Sequence, residues 1–244
     1  DFERFSFAQL AEDSTHIALG LRASGFEPGQ RVALMVRPGF DFVSLVFALL
    51  KAQLVQILID PGLGRKQVLR CLDDVEPTGF IGIPLVQAVR TLLRRRYPQA
   101  THNVTVGRRW FWGGPTLKQI RALGRQAKES GAEWQPASTD DPAAIIFTTG
   151  STGPPKGVLY CHRQFERQVD EIGGAYGIAP GEIDVACFPL FALFNSAMGV
   201  TTVFPRMDFS RPASVDPAHI VAVIQAMSAT QSFASPAVWK KVGA

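Results

Sequence analysis

The chain has 244 residues, of which 46% are hydrophobic and 19% are charged. The length suffices for one large domain or two small ones and excludes a disulfide-stapled mini-protein. The apolar content excludes an intrinsically disordered chain. The formal net charge of +4 is not concentrated in a tail, so it fits an anionic small-molecule ligand as well as it fits nucleic acid.

The cysteine and histidine content excludes two further classes. The three cysteines lie far apart and form no CxxC pair, and the four histidines are scattered. A disulfide framework or a zinc site is therefore not expected, and reduced thiols suit the cytoplasm.

The longest apolar stretch, residues 42–59, is interrupted by Lys51 and three other polar residues, so it is not a membrane span. No signal peptide is visible and the chain begins at Asp1, so we expect a fragment at both ends.

The first third of the chain alternates between helical and strand-like patterns. Helical spacing over residues 7–21, closed by Gly25, is followed by an apolar run at 31–36. A helix at 42–51, capped by Asp41, a strand at 55–59, a helix at 66–74 and a strand at 79–83 follow. This order predicts an α/β fold, with parallel-rich sheets and helices on both faces.

Residues 94–142 are less regular. The arginine run Arg94–Arg96 is typical of a solvated helix face, with a phosphate-binding or membrane-surface patch as the alternative. Residues 110–114 predict an aromatic turn and residues 131–142 a connection. Further strands are predicted at 143–148, 184–189, 200–204 and 229–233, with helical stretches at 172–176 and 219–227.

The loop after the predicted strand 143–148 carries the most specific pattern: Thr148-Thr149-Gly150-Ser151-Thr152-Gly153-Pro154-Pro155-Lys156-Gly157-Val158. Glycines let the backbone approach a ligand, while hydroxyls and exposed amides donate hydrogen bonds to phosphate oxygens. A lysine adds a cation, which attracts a phosphate oxygen ~4 Å away by about 4 kcal/mol before desolvation. The composition therefore indicates a phosphate-binding loop, with a surface loop of turn-forming residues as the alternative.

This loop is not a Walker A motif. Counting from Gly150, Lys156 stands at the right offset, but Pro155 and Gly157 replace the required glycine and hydroxyl residue on either side of it. The pattern therefore disfavours a P-loop nucleotidase.

The order of residues resembles the phosphate loop of the adenylate-forming superfamily, which includes acyl-CoA synthetases, luciferases and peptide-synthetase adenylation domains. Residues 148–158 follow that family's pattern almost position by position. Residues 50–52 with 59–61 resemble an earlier core motif, although Gln53 stands where glycine is usual. Residues 160–162 and Ser235-Pro236 resemble further elements of the family.

The resemblance implies roles for two sets of residues. The β- and γ-phosphates of ATP would be bound by Thr148, Thr149, Gly150, Ser151, Thr152, Gly153, Lys156 and Gly157. Catalysis would depend on Lys156 and Thr152, because donors and a cation aimed at the phosphates stabilise the charge of the transition state. An apolar acyl pocket would be lined by Phe188, Phe191, Ala192, Phe194 and Met198, for which ordinary core packing is the alternative. We expect Cys161 and Cys187 to be buried and structural. We expect His162 to be structural as well, with a general base as the alternative.

Two departures from the family matter. In many acyl-CoA synthetases and luciferases a histidine follows the Pro-Leu-Phe run, whereas here that position is Ala192. The family's adenine and magnesium motif, its ribose-binding aspartate and its small C-terminal domain would all lie beyond Ala244. The resemblance thus implies Mg²⁺ but no metal ligand within this chain. Residues 1–244 are expected to be an incomplete, inactive N-terminal part of an AMP-binding domain.

Within the superfamily, five stretches resemble the β-lactone synthetases of bacterial olefin biosynthesis: residues 37–39, 59–62, 107–114, 188–194 and 215–217. The resemblance implies activation of a long-chain β-hydroxy fatty acid as its acyl-adenylate, then closure to a β-lactone with release of AMP and pyrophosphate. The alternatives are a fatty-acid–CoA ligase, which uses coenzyme A, and a nucleotide-binding fragment without catalysis. The expected partners are the acyl substrate and enzymes of a lipid pathway, without nucleic acid and with peripheral membrane contact at most.

Overall fold

The computed structural model describes residues 2–148 and 154–243. The chain divides into two units, residues 1–163 and 164–244. The strands described in the first unit are β1 Arg31–Met35, β2 Val55–Leu58, β3 Gly79–Gly82, β4 His102–Thr105, β5 Pro142–Thr148 and β6 Lys156–Cys161. Its α-helices are α1 Phe7–Ala23, α2 Phe40–Lys51, α3 Arg65–Val75, α4 Pro84–Leu92 and α5 Leu117–Glu129, with a short 3₁₀ helix at Pro61–Leu63.

The six strands of the first unit form one sheet in the order β4-β3-β1-β2-β5-β6. All neighbouring pairs are parallel except β5 and β6, which are antiparallel. Both faces of this sheet are covered. Ala33 and Phe80 pack with Leu72 of α3 on one face, while the alternate residues Val32 and Ile81 are completely buried on the other. The predicted α/β class with a parallel-rich sheet is confirmed.

Helices α1 and α5 pack at unusually close range through two glycines. A Cβ atom added to Gly124 of α5 would lie 1.6 Å from the His16 carbonyl oxygen of α1. A Cβ atom on Gly20 of α1 would likewise lie 2.0 Å from the Ile120 carbonyl oxygen. The two backbones are therefore in direct contact, and only hydrogen atoms fit between them.

The predicted cap at Asp41 is wrong. Helix α2 begins two residues earlier than the sequence pattern indicated, with Gly39 as its N-cap and without a side-chain capping bond. Asp41 lies in the first turn instead, where its Oδ1 accepts a hydrogen bond of 2.7 Å from Arg121 Nη2. The same guanidinium is bidentate to Asp13 of α1, so Arg121 of α5 joins three helices by charge.

Gln53, which stands where the resembled family usually has glycine, adopts a backbone conformation that favours glycine. Gln53 follows α2 with φ at +59°, in the left-handed region where glycine is favoured. Its side-chain amide donates a hydrogen bond of 3.0 Å to the Gln135 carbonyl oxygen. A glycine would adopt this turn with less strain, but it would lose the bond to the connection at 131–142.

The arginine run does not lie on a helix. Helix α4 ends at Leu92, and residues 93–96 form a turn. Arg96 is bidentate to Asp73 of α3, with its Nε 2.7 Å from Asp73 Oδ1. Arg94 and Arg95 remain exposed. The run therefore combines one structural ion pair with two solvent-facing cations.

The second unit contains a three-stranded parallel sheet in the order β8-β7-β9. Its described strands are β7 Ile183–Ala186, β8 Thr201–Val203 and β9 Gln231–Phe233. Its helices are α6 His162–Tyr176, which begins at the end of the first unit, α7 Ala192–Met198, α8 Pro217–Met227 and α9 Pro236–Val242. The core of this unit gathers Val185, Cys187, Val203, Ile220 and Val238.

Candidate active site

The predicted phosphate loop connects two strands of the first sheet. Strands β5 and β6 pair over five residues in continuous register, from Thr148 opposite Lys156 to Ala144 opposite Tyr160. The ladder thus fixes the backbone of the two strands that flank the loop, and Lys156 is the first residue of the second strand. Five of the predicted phosphate ligands, Thr149 to Gly153, lie outside the described residues, as does the side chain of Thr148.

The far end of the loop is anchored by small and cyclic residues. Pro155 is buried, whereas Lys156 is exposed. Gly157 faces Phe147 across the ladder, and a Cβ atom added to it would lie 3.2 Å from Phe147 Cζ and 3.0 Å from Ile145 Cγ2. The absence of a side chain at Gly157 therefore leaves room for the Phe147 ring on the neighbouring strand.

Strand β2 brings a second predicted motif to the same edge of the sheet. Because β2 and β5 are parallel, with Leu58 opposite Ile146, the segment after β2 leaves the sheet beside the end of β5, from which the phosphate loop starts. Asp60 stabilises this turn, since its Oδ1 accepts a hydrogen bond of 2.8 Å from the Gly62 backbone N–H. The carboxyl ends of parallel strands are the usual ligand sites of such sheets, so this edge is the candidate nucleotide site.

In the second unit, the predicted acyl-pocket phenylalanines gather around a residue that sequence reasoning missed. Phe191 stacks on Phe233, with ring centroids 3.8 Å apart and planes at 16°. Phe188 lies 5.8 Å from Phe191 and 6.1 Å from Phe233, and Phe194 lies 6.0 Å from Phe191. Phe165 of α6 completes the cluster, 6.4 Å from Phe194. These rings are partly exposed, so the aromatic cluster presents an apolar surface.

The other two predicted pocket residues are placed differently. Ala192 stands at the position where the resemblance to acyl-CoA synthetases and luciferases would lead one to expect a histidine. It is completely buried at the start of α7. Met198, at the end of α7, is half-buried and lies against α6, where a Cβ atom on Gly173 would be 3.6 Å from its Sδ. The phenylalanines thus lie together, whereas Met198 packs at the opposite end of the helix.

A buried polar layer lies beneath the aromatic cluster. Asn195 of α7 donates from Nδ2 to Asp184 Oδ2 at 2.6 Å and to Thr202 Oγ1 at 3.1 Å. Asp184 of β7 is 3% exposed, and burial raises the pKa of its carboxyl group. The layer ties the helix that carries Phe194 to strands β7 and β8.

Cys187 is not equipped to act as a nucleophile. It is buried directly after β7, and burial together with the nearby Asp184 charge raises the pKa of its thiol to about 11. Its predicted burial is therefore confirmed. Cys161 is only half-buried at the end of β6, and the N–H of His162 donates to the Asp141 carbonyl oxygen at 3.2 Å.

Phe233 could have been found from the predicted strands. Ala186 at the end of β7 lies opposite Phe233 at the end of β9. Residues that follow parallel neighbouring strands meet at one edge, so a predicted strand at 229–233 indicates that Phe233 lies near Phe188. The pairing of Asp184 with Asn195 leaves no comparable signal, because a buried carboxylate on a strand is not recognisable from spacing.

No group of three or more His, Cys, Asp or Glu side chains suited to a metal ion occurs within residues 2–148 and 154–243. The residues that the structure describes thus do not fit a resident metal site. None of their helices is long and apolar enough to cross a membrane.

The chain matches the AMP-binding enzyme family over residues 1–243. It is 45% identical to proteins named "Olefin beta-lactone synthetase" from Xanthomonas campestris and Stenotrophomonas maltophilia, over 96% of this chain and 42% of each relative. It is 27% identical to a "Long-chain-fatty-acid--CoA ligase" from Thermus thermophilus, over 98% of this chain and 43% of that protein. The chain therefore spans less than half the length of these relatives.

Solved structures agree on the fold. The crystal structure of a long-chain-fatty-acid-CoA ligase from Archaeoglobus fulgidus superposes with a TM-score of 0.83 at 19% identity, covering 99% of this chain and 47% of the other. An anthranilate CoA ligase in complex with anthranoyl-AMP superposes with a TM-score of 0.76 at 17% identity, over 94% of this chain and 44% of the other. The chain belongs to the AMP-binding enzyme family, whose adenylate-forming members share its fold.

Proposed function

We propose that this chain supplies the phosphate loop and part of the acyl site of an olefin β-lactone synthetase. The substrate is a long-chain β-hydroxy fatty acid, which ATP activates as an acyl-adenylate before it closes to a β-lactone. The observation that carries the proposal is the contrast in identity over nearly the whole chain. That identity is 45% to the olefin β-lactone synthetases and 27% to the fatty-acid–CoA ligase.

In the first step, a carboxylate oxygen of the substrate bonds to the α-phosphorus of ATP, and the bond to pyrophosphate breaks. Negative charge grows on the phosphates as this happens, so aligned donors and one cation lower the barrier. We assign this work to the loop residues from Thr148 to Gly153 and to exposed Lys156, whose position the β5–β6 ladder fixes. Thr152 and Lys156 are the catalytic residues of this assignment.

In the second step, the β-hydroxyl oxygen of the same substrate bonds to the activated carbonyl carbon. AMP leaves with the electrons of the acyl–phosphate bond, and the hydroxyl proton passes to solvent. Because nucleophile and electrophile share one molecule, proximity supplies much of the rate. The partly exposed rings of Phe188, Phe191 and Phe194 would hold the apolar chain, and the buried methyl group of Ala192 adds no polar group there.

The same proposal includes the setting of the reaction. Residues 1–244 would form the N-terminal part of an AMP-binding domain in a cytoplasmic enzyme, with other lipid-pathway enzymes as partners. Mg²⁺ would accompany ATP, as is usual for phosphoryl chemistry, with its protein ligand outside this chain. The fatty-acid–CoA ligase is the second candidate, supported by the relative from Thermus thermophilus.

The test uses the full-length protein with ATP, Mg²⁺ and a long-chain β-hydroxy acid, with and without coenzyme A. Mass spectrometry follows the organic product, and pyrophosphate release follows the first step. A β-lactone formed without coenzyme A is the expected product. A thioester formed only with coenzyme A would replace the proposal with the ligase function, and ATP binding without either product would indicate a non-catalytic protein.

A further inference from the structure

One stretch of the first unit has an extreme charge bias. Residues 77–128 contain ten lysines and arginines and no aspartate or glutamate. The rest of the chain holds the remaining 15 basic residues and all 21 acidic residues, so it is net negative. This basic stretch includes α4, β4 and the aromatic turn, none of which belongs to the candidate active site.

Helix α4 presents an apolar stripe to solvent. Leu85, Val89 and Leu92 are 68%, 42% and 81% exposed, and their spacing of four and three residues places them on one side of the helix. The opposite side is fixed to the sheet through Gln87, which is completely buried and donates to the Val104 carbonyl oxygen at 2.8 Å. The contact of Gln87 with the sheet therefore orients α4 so that its apolar stripe faces solvent.

The aromatic turn extends this apolar surface. Trp110 and Phe111 are 62% and 72% exposed, while Trp112 is buried and donates from Nε1 to Thr105 Oγ1 at 2.9 Å. The turn starts beside α4, because a Cβ atom on Gly107 would lie 3.7 Å from Pro84 Cδ. The buried, hydrogen-bonded ring of Trp112 thus supports the exposed rings of Trp110 and Phe111 near the start of α4.

Cations without acidic partners border the exposed apolar residues. Arg94 and Arg95 follow α4 directly, and Arg108 precedes Trp110. All three are exposed, and they make no ion pair with any residue that the structure describes. No aspartate or glutamate lies within ten residues of them along the chain, so this surface attracts anions.

We propose that α4, the turn at 93–95 and residues 108–111, together the α4 surface, bind the surface of an anionic lipid membrane. The aliphatic stripe and aromatic rings would enter the interfacial layer, where tryptophan is favoured, and the arginines would contact lipid phosphates. Lipid fits better than nucleic acid, because Leu85 and Leu92 gain nothing from a sugar-phosphate backbone. The proposal does not depend on the chemistry proposed for the active site.

The experiment is co-sedimentation of the full-length protein with two kinds of vesicle, phosphatidylcholine alone and phosphatidylcholine with phosphatidylglycerol. Binding is expected only to the anionic vesicles, and added salt should weaken it. The double variant Arg94→Gln/Arg95→Gln should weaken binding by at least about tenfold, since each cation near the surface contributes substantially. Lys66→Gln/Arg70→Gln, which removes two exposed cations from α3, is the matched control and should bind normally.

A second pair of variants tests the apolar contribution. Leu85→Ser/Leu92→Ser and Trp110→Ser/Phe111→Ser alter only exposed side chains, so the fold should survive, and each should reduce binding several-fold. Tyr176→Ser, at an exposed aromatic residue in the second unit, should have no effect. Equal binding to both vesicle types, or binding that none of the α4-surface variants alters, would overturn the proposal. If the protein instead bound RNA but no vesicles, and the α4-surface variants lost that RNA binding, the α4 surface would be a nucleic-acid site.

Discussion

The Asn195 side chain donates a hydrogen bond of 2.6 Å to the buried carboxylate of Asp184, joining helix α7 to strand β7. Phe188 follows the same strand and Phe194 lies on the same helix, so this one contact fixes the relative position of two rings of the aromatic cluster. The hydrogen bond therefore helps to hold the aromatic cluster together.

Asn195→Ala should destabilise the second unit by about 1–3 kcal/mol, because it leaves a buried carboxylate oxygen without its donor. Thermal unfolding of the full-length protein measures this loss. Ser196→Ala, one position further along α7, is the control and should cost much less. An Asn195→Ala protein with unchanged stability would show that the contact contributes nothing to the fold.

Replacing Asp184 should change how stability depends on pH. Burial raises the pKa of Asp184, so the folded state holds this proton more tightly than the unfolded state. Its contribution to stability is complete below the ordinary carboxyl pKa of about 4 and is lost as the pH rises through the folded-state value. Asp184→Asn removes this titration, so the stability of the variant relative to the wild type should increase with pH across that window.

Urea unfolding at several pH values measures the effect at Asp184. Asp170→Asn, at an exposed position on α6, serves as the control and should follow the wild-type profile. A difference between Asp184→Asn and the wild type that does not vary with pH would contradict the assignment.

Gly124→Ala should lower the free energy of unfolding by about 1–3 kcal/mol or more, since overpacking a close contact forces backbones apart. The added methyl group would meet the His16 carbonyl oxygen, a backbone atom that cannot rotate away. The matched variant is Gly174→Ala on α6, where nothing lies within 4 Å of the new Cβ atom. There helix propensity should stabilise the protein by about 0.5–1 kcal/mol. Equal effects at both positions would contradict the close contact of α1 and α5.

Cys187 should resist alkylation in the folded protein. Only the thiolate reacts, and a pKa of about 11 instead of 9.0 leaves about a hundredfold less thiolate at neutral pH, beyond the protection of burial. Iodoacetamide labelling with peptide mass mapping, in buffer and in denaturant, measures this directly. Labelling of Cys187 at equal rates in both conditions would mean that the thiol is neither buried nor shifted.

Lys156→Ala in the full-length protein should reduce pyrophosphate release by about a hundredfold, because it removes a cation from charge that develops on the phosphates. Thr152→Ala should act on the same step. Lys118→Ala, which removes an exposed cation from α5, should leave the rate unchanged. Normal pyrophosphate release in both loop variants would remove Lys156 and Thr152 from the catalytic assignment.

The central strands could be predicted because a parallel sheet buries both faces. Residues 31–36, 55–59, 79–83 and 143–148 are short, predominantly apolar runs, and each corresponds to a strand within two residues. Strand β4 was missed because it begins with His102 and Asn103 at the edge of the sheet, where polar residues are tolerated.

Among the helices that escaped prediction, α4 and α5 did so for opposite reasons. Helix α5 buries only Leu117, Ile120 and Gly124 among mostly polar residues, so its apolar side is small. Helix α4 has an apolar stripe, but Leu85 and Leu92 face solvent rather than the core.

In the candidate site, the phosphate loop could be predicted because its residues are contiguous. The Asp184–Asn195 pair could not, because the two residues meet only after β7 and α7 pack.

The order of strands in the first sheet has a consequence during synthesis on the ribosome. Strand β2 ends at Leu58, yet one of its two neighbours, β5, begins only at Pro142. At about 5–20 residues per second, one edge of β2 stays unpaired for several seconds while the intervening segment is made. An open, apolar strand edge can pair with another nascent chain, so this interval is the period of greatest aggregation risk, when a chaperone would be most useful.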